Sequence, residues 1–200
     1  LDSYEPERRP IGMRNVNEAA AMRNEMDGQI PQSELLEQEG KEADLLRAEA
    51  ARVIELTRGK EFTHESTGVE LGYAYEESPI CVPDGSTAIP FDHSSYTPTT
   101  RPGARAPHAW LPDGRSTLDL FDGGFTLLRL GAGAGDTAAL EHAAQACGMP
   151  LTVVDVHDPE IHDLYERRLV LVRPDGHVAW RADEPPQDAT AVVDRVRGVS

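Results

Sequence analysis

The sequence predicts an α/β protein in three parts: a helical segment over residues 1–60, a strand and Pro-rich linker over residues 61–107, and a folded domain over residues 108–200. Good helix formers dominate the first part, and prolines recur through the second. In the third part, short apolar runs alternate with helical patterns. Such alternation is typical of α/β folds, so we expect an α/β domain preceded by an α-helical segment and an extended linker.

The helical segment predicts two helices. Leu1–Pro10 is charged and turn-like, and the residues after it favour a first helix that ends near Gly28. Ser33 is a suitable N-cap for a second helix, because acidic residues follow it in the first turn, where they suit the helix dipole. We expect Gly40 to interrupt this second helix and Gly59 to end it.

The middle segment begins with an alternating apolar pattern and then loses its periodicity. Val69, Leu71, Tyr73 and Tyr75 alternate, which predicts a strand. The two tyrosines could line an aromatic pocket, but packing against the adjacent helices is the favoured interpretation. Prolines then forbid a long regular element: Pro83, Pro90, Pro98, Pro102 and Pro107. A loop of this length is normally functional or anchored, so we expect it to wrap over a surface.

The C-terminal part predicts seven elements in the order β-α-β-α-β-β-α. The predicted strands are Phe125–Leu130, Leu151–Val156, Leu169–Val172 and Val178–Trp180. The predicted helices are Asp136–Cys147, Asp158–Tyr165 and Asp188–Val196. Asp136 is suited to an N-cap, and Asp158-Pro159 begins the second helix with Pro in the first turn, where it is best tolerated. Pro174-Asp175-Gly176 is a hairpin signal between the last two strands. This order predicts a thioredoxin-like domain.

Composition excludes several classes of function. The formal charge of −16 argues against nucleic acid and anionic membrane surfaces, because both require clustered Lys and Arg. No apolar run approaches the roughly 20 residues that span a bilayer. An apolar fraction of 39% is low for a self-contained domain, so part of the chain is expected to rest on structure outside it. Two separated cysteines suggest a reducing, cytoplasmic setting. The start at Leu1, without Met or a signal pattern, predicts a processed or truncated chain.

The glycine-rich turn Gly131–Gly135 resembles a nucleotide-binding fingerprint. It follows a predicted strand, opens a helix, and precedes Asp155 on the next strand by about 20 residues, as that fingerprint requires. However, its spacing is G-x-G-x-G, one residue short. Asp136 would also place a carboxylate on the helix N-terminus that should receive the pyrophosphate. We therefore favour a flexible turn over a cofactor site.

The sequence also lacks the residues that redox and metal chemistry usually require. A thioredoxin-like thiol pair would occupy the start of the first long helix, where the glycine turn stands instead. Cys147 lies at the far end of that helix, where the dipole would raise a thiol pKa, so packing is its expected role. His157 and His162 are five residues apart, about 140° around a helix, and do not form a zinc pair. Solvated faces are the expected environment of the acidic runs at Glu34–Asp44 and Asp183–Asp188.

Several specific strings, which cover nearly the whole chain in order, resemble one known family: Leu1–Pro10, Leu71–Tyr75 with Ser78-Pro79, Pro102–Leu111, Leu118–Phe121, Gly124–Leu128 and Leu169–Arg181. They are similar to strings of flavoprotein aromatic hydroxylases of the phenol, chlorophenol and polyketide hydroxylase type, the class A flavoprotein monooxygenases. In that family, Leu1–Pro10 matches the stretch that directly follows the last flavin-contacting segment. The chain therefore resembles the C-terminal portion of the proteins of this family.

The resemblance implies an enzyme whose reactive parts lie upstream of Leu1. Family members use FAD, reduced by NADPH or NADH, to add an oxygen atom to a phenolic ring. Their C-terminal domain is thioredoxin-like, lacks the redox cysteines, and serves packing and subunit association. We therefore expect no catalytic, cofactor-binding or metal-binding residue in this chain, and no FAD or NAD(P)H on it alone. The expected partner is the N-terminal flavin-binding part of the same protein, and a homo-oligomer is compatible with the resemblance.

Two alternatives remain open from the sequence. One is a free-standing interaction module with a redox-dead thioredoxin-like domain. The other is an independent nucleotide-binding enzyme that uses Gly131–Gly135. The aromatic substrate, and the choice between NADPH and NADH, are not encoded in these residues.

Overall fold

The computed structural model describes residues 2–29, 33–58 and 66–199. Its helices are α1 (Tyr4–Gln29), α2 (Lys41–Arg58), α3 (Thr67–Leu71), α4 (Ala138–Ala146), α5 (Pro159–Tyr165) and α6 (Ala189–Val196). Its strands are β1 (Phe125–Leu130), β2 (Leu151–Val156), β3 (Leu169–Val172) and β4 (Val178–Ala182). Two short 3₁₀ helices span Glu34–Glu37 and Thr117–Leu120. Within these described residues, no helix is both long and apolar enough to cross a membrane.

The four strands form one mixed sheet in the order β2-β1-β3-β4. β1 and β2 are parallel, with Phe125 opposite Leu151, whereas β3 runs antiparallel to both β1 and β4. The parallel pair is joined through α4, as a parallel connection requires a crossover. The antiparallel strands β3 and β4 form a hairpin.

Both faces of the sheet are covered by apolar packing. On one face, α4 and α6 contribute Leu140, Val193 and Val196 to a core that includes Leu127 and Leu171 of the sheet. On the other face, α5 contributes Ile161 and Tyr165, and residues near the second 3₁₀ helix complete that core. A helix–sheet–helix arrangement of this kind is the α/β class that the sequence predicts.

The predicted elements of the C-terminal part are confirmed almost residue by residue. β1, β2 and β3 have the predicted bounds, and β4 extends to Ala182. Asp158 and Asp188 cap α5 and α6 by accepting hydrogen bonds from the first-turn N–H groups. The one shift is at α4, where Thr137 is the N-cap. The Asp136 carboxylate nevertheless accepts a hydrogen bond from the Ala138 N–H at 2.9 Å, so it still satisfies a free donor of the first turn.

The prediction for Leu1–Pro10 is wrong, because α1 begins at Tyr4. The prolines caused the error. Pro6 lies in the first turn, where its missing N–H costs nothing, and Pro10 is tolerated inside the helix at the loss of one hydrogen bond. The C-terminal end of α1 at Gln29 lies one residue beyond the predicted stop at Gly28.

The second predicted helix is divided as expected. Ser33 accepts a hydrogen bond from the Leu35 N–H and starts the 3₁₀ turn, and the chain breaks at Gly40, which adopts φ +132°. α2 then runs to Arg58. The predicted stop at Gly59 lies outside the described residues.

The predicted strand over Val69–Tyr75 is wrong. Its first half is helix α3, and its second half is extended, with a single bridge between Ala74 and Ala104. Close packing explains the difference, since a side chain on Gly68 would place its Cβ 1.7 Å from the backbone oxygen of Asp92. The helical turn at Gly68 therefore fits against the backbone of residues 92–95, a contact that alternation in the sequence does not report.

Candidate functional site: two buried arginine junctions

The β3–β4 hairpin presents two buried arginines. Arg173 directly follows β3 and Arg181 lies in β4, and each is less than a tenth exposed. The turn between them closes at Gly176, which adopts φ +80°. A buried guanidinium is costly unless paired, so both arginines need carboxylate partners. Both have them, and each arginine has one partner from a distant part of the chain, Glu7 for Arg173 and Asp84 for Arg181.

The Arg173 junction ties helix α1 to the hairpin. The Arg173 guanidinium donates two hydrogen bonds to the Glu7 carboxylate, at 2.6 and 3.1 Å, and a third to Asp175 at 2.8 Å. The Ser78 hydroxyl donates a further bond to Glu7 at 2.5 Å. Glu7 is 4% exposed, so a fully desolvated carboxylate of α1 depends on this bidentate pair.

Aromatic rings and a histidine cover the Arg173 junction. The rings of Tyr75 and His177 stack at 4.4 Å, and Tyr73 is 5.4 Å from His177. The His177 Nδ1 faces the Asp175 backbone carbonyl at 3.3 Å, which assigns the ring proton to that nitrogen. Within the described residues, His177 Nε2 and the Tyr75 hydroxyl have no hydrogen-bond partner. Burial, with the neighbouring Tyr73, raises the pKa of Tyr75. The Tyr75 phenol is therefore neutral at ordinary pH, and its ring packs against that of His177.

The Arg181 junction ties the connecting residues 72–107 to β4 and α5. Arg181 Nε donates to Asp84 at 2.6 Å, and its Nη1 donates to Glu166 at 2.6 Å and to the Thr100 hydroxyl at 3.0 Å. Thr100 in turn donates to the backbone oxygen of Tyr165. Asp84 also accepts bonds from Ser86, and these contacts outweigh burial and hold the pKa of Asp84 at about 2.

An open groove lies beside the Arg173 junction. It has a volume of about 560 Å³ and runs between α1 and the connecting residues, with Pro10, Ile11 and Phe91 in its walls. The Arg14 guanidinium stands 4.7 Å from the Phe91 ring and donates to the Val69 carbonyl at 2.8 Å. Burial lowers the pKa of Arg14. The groove combines apolar walls with a cation, but Arg14 is already engaged with protein groups.

The glycine turn is occupied by contacts of the chain itself. Asp155 forms a bidentate pair with Arg129, at 2.7 Å for each hydrogen bond, so the acid expected to bind a ribose is already paired. A Cβ on Gly135 would lie 3.0 Å from Pro185, which shows that another loop packs on the turn. With Asp136 bonded to the Ala138 N–H, neither FAD nor a nicotinamide nucleotide fits these residues as a Rossmann site would hold it.

The cysteines and histidines are also separated. Cys81 is buried and Cys147 half-buried, and both are free thiols. Burial raises the pKa of Cys81, which disfavours the thiolate that redox chemistry needs. His157 precedes α5 and His162 lies within it. In the described part of the chain, no group of three or more His, Cys, Asp and Glu side chains could hold a metal ion.

Asp175 should make the Arg173 junction sensitive to acid. Burial alone would raise its pKa, but hydrogen bonding to His177 and the Arg173 charge outweigh burial and hold the pKa at about 2. A depressed carboxyl pKa adds stability that is complete above the unfolded value near 3.9 and is lost as the pH falls toward 2. We expect Asp175→Asn to cost about 2 kcal/mol at pH 6 and much less at pH 2.

Urea unfolding between pH 6 and pH 2 measures this loss. Asp122→Asn, at an exposed carboxylate outside the junction, is the control. A cost of Asp175→Asn that stays constant over the whole pH range would show that ionisation of Asp175 does not stabilise the fold.

Sequence reasoning did not find Glu7, Arg173 or Arg181. The available signal was an arginine next to or inside a strand of buried apolar residues, as in Leu169–Arg173 and Val178–Arg181. A charge in that position needs a buried partner. The identity of the partner cannot be predicted from spacing, since Glu7 is 166 residues away from Arg173.

Comparisons with known proteins show which proteins this chain is similar to. The sequence model of the aromatic-ring hydroxylase C-terminal family matches residues 99–199. The FAD-dependent monooxygenase apdD of Emericella nidulans is 37% identical over 201 residues, covering 92% of this chain and 31% of its own length. The rebeccamycin biosynthetic enzyme RebC, solved with reduced flavin, shows a TM-score of 0.77 at 41% identity over 100% of this chain and 36% of its own.

A further solved relative extends the comparison. The flavin-dependent monooxygenase PieE, solved with FAD and substrate, is 34% identical with a TM-score of 0.67 and covers 98% of this chain and 38% of its own. The chain therefore spans about a third of the length of these relatives. The family match covers all four strands of the sheet, including the β3–β4 hairpin that carries Arg173 and Arg181. This chain belongs to the aromatic-ring hydroxylase C-terminal family, the C-terminal domain of flavin-dependent aromatic and polyketide monooxygenases.

Proposed function

We propose that the chain is the C-terminal part of an FAD- and NAD(P)H-dependent monooxygenase that hydroxylates a phenolic or polyketide aromatic substrate. The observation that carries the proposal is the extent of the likeness to RebC and PieE, which takes in α1 and the connecting residues as well as the C-terminal sheet. A likeness confined to residues 108–200 would indicate a transplanted module instead. Likeness through the helical segment supports a piece of the same enzyme architecture.

The chain's role in that enzyme is structural. The sheet order β2-β1-β3-β4, with β3 antiparallel, supports a thioredoxin-like domain over residues 108–200. The position of a redox thiol pair is filled by the glycine turn, and Cys147 lies at the opposite end of α4. Such a domain serves packing against the N-terminal flavin-binding part and subunit association. Residues 1–60 form the trailing edge of the flavin-binding part, and residues 61–107 form the linker.

The reactive groups belong to the remaining two thirds of the enzyme. FAD, when bound there, supplies the oxygen transfer. The residues described in this chain supply rigid attachment, through the Arg173 and Arg181 junctions. Neither junction has a free donor set for a flavin or a nicotinamide, since the carboxylates and guanidinium groups pair with one another.

The purified 200-residue chain should therefore be colourless and inactive. We expect no flavin absorbance in the visible range, no heat of binding with NAD or NADP, and no phenol-dependent oxidation of NADPH in the presence of added FAD. Absorbance spectroscopy, calorimetry and a coupled phenol assay measure these quantities. A yellow stoichiometric complex, or micromolar nucleotide binding that Gly133→Val abolishes, would contradict the proposal.

A further inference from the structure

Helix α1 is attached to the rest of the chain by charged side chains. Its inner face repeats at helical spacing through Glu7, Ile11, Arg14 and Glu18. Of the α1 side chains that the structure describes, Glu7 is the only one that is buried. A surface helix normally buries an apolar stripe against the core. Here the buried position is a carboxylate.

The polar contacts along this face involve charged side chains of α1. Glu7 is held by Arg173 and by the Ser78 hydroxyl. About two turns further on, Arg14 donates to the Val69 carbonyl at 2.8 Å. A further contact joins Glu18 to His93 Nδ1 at 2.9 Å, and both side chains are about a third exposed. These contacts are joined by cation–π stacking of Arg8 on Tyr75, at 5.3 Å, and of Arg14 on Phe91.

Among the described apolar side chains of α1, Ile11 is half-buried on this face, whereas two others are largely exposed. Met13 is 57% exposed and Val16 is 68% exposed. Helix α6 shows the opposite arrangement, because Val192, Val193 and Val196 are all buried against the sheet. Detaching α6 would expose a large apolar surface, whereas detaching α1 exposes mainly groups that water solvates well.

We infer that α1 is a releasable helix, latched to the β3–β4 hairpin by the Glu7–Arg173 pair and able to detach while the sheet stays folded. Elements with few buried apolar contacts open locally at a fraction of the global free energy of unfolding. The two charges of the latch regain their hydration on release, which offsets the lost ion pair. Once detached, a helix of this length that contains Pro10 is marginal in water, so it should unravel.

Hydrogen exchange on the full 200-residue chain tests the inference, with peptides from α1 and from β1 and β3 followed separately by mass spectrometry. Glu7→Gln removes the charge on the helix side and leaves the Arg173–Asp175 pair of the hairpin in place. We expect the protection of α1 to fall at least tenfold, and the protection of β1 and β3 to change less than twofold. Arg173→Met should release α1 at least as strongly.

Ile11→Ala is the matched control, because it truncates an apolar residue on the same face and leaves every charge in place. We expect it to reduce the protection of α1 less than threefold. Three outcomes would overturn the inference: wild-type protection of α1 in Glu7→Gln, loss of protection in α1 and the sheet together in that variant, or release by Ile11→Ala equal to release by Glu7→Gln. Release of α1 is independent of flavin binding by the parent enzyme, so the two proposals fail separately.

Discussion

Replacing Gly103 with alanine is expected to destabilise the fold by about 3 kcal/mol or more. Gly103 adopts φ +92°, and an added Cβ would lie 2.5 Å from the backbone oxygen of Tyr75. The Gly103 N–H donates to the Val178 carbonyl at 2.8 Å, and the Gly103 carbonyl accepts from the Tyr75 N–H at 2.9 Å. The clash cannot be relieved without moving one of these backbones, so the left-handed strain and the weakened hydrogen bonds add together. Urea unfolding at neutral pH measures the loss.

Gly133→Ala separates strain from collision. Gly133 adopts a similar φ of +96°, but an added Cβ would have nothing within 4 Å. We expect this variant to cost about 1 kcal/mol, the strain of a left-handed alanine alone. Equal costs for the two variants would mean that the Tyr75 backbone yields freely at Gly103, and that the connecting residues are not held in place at that point.

The C-terminal elements could be predicted because local signals agree with tertiary packing there. Asp158 followed by Pro159 starts α5, and Pro174-Asp175-Gly176 turns the hairpin, each through chemistry contained within a few residues. The apolar runs of β1 and β3 are buried on both faces, which is the pattern that continuous runs indicate. Sequence reasoning succeeds where short-range and long-range requirements coincide.

The remaining errors come from contacts that are distant along the chain. The alternation from Val69 to Tyr75 arises partly from helix α3, whose position depends on the backbone of residues 92–95. Proline at position 10 interrupts a helical pattern locally, yet α1 continues through it. Neither outcome can be derived from the residues next to it, because the stabilising partner lies elsewhere in the chain.

The candidate site itself could be only half predicted. At the glycine turn, Asp155 is paired with Arg129 and Asp136 is bonded to the first turn of α4, and the absence of a cofactor there stays a prediction. The junctions were missed, since a strand arginine indicates that a carboxylate is needed but not which of the 35 acidic residues supplies it. Choosing Glu7 or Asp84 requires the three-dimensional path of the connecting residues.

Arg181→Met is expected to cost about 3 kcal/mol or more, the second large effect. The Arg181 side chain is 3% exposed, and Asp84, its partner from the connecting residues, is 15% exposed. Removing the guanidinium leaves Asp84 desolvated and takes one hydrogen bond from Thr100. The Glu166 side chain is 38% exposed, so water replaces most of the hydrogen bonding that Glu166 loses with the guanidinium. The unfolding free energy at pH 7 is the quantity to measure.

The pH dependence of stability and a double variant test whether the unpaired Asp84 carboxylate accounts for the stability that Arg181→Met loses. The Asp84 pKa near 2 adds stability above pH 4 that is lost as the pH falls toward 2, and without Arg181 that pKa should rise toward its usual range. The difference in unfolding free energy between wild type and Arg181→Met should therefore become smaller at acidic pH. Arg181→Met/Asp84→Leu should recover most of the stability at pH 7, because an apolar pair replaces a buried ion pair at little net cost. A double variant as unstable as Arg181→Met would assign the cost to lost packing of the arginine's alkyl chain, with the connecting residues held by other contacts.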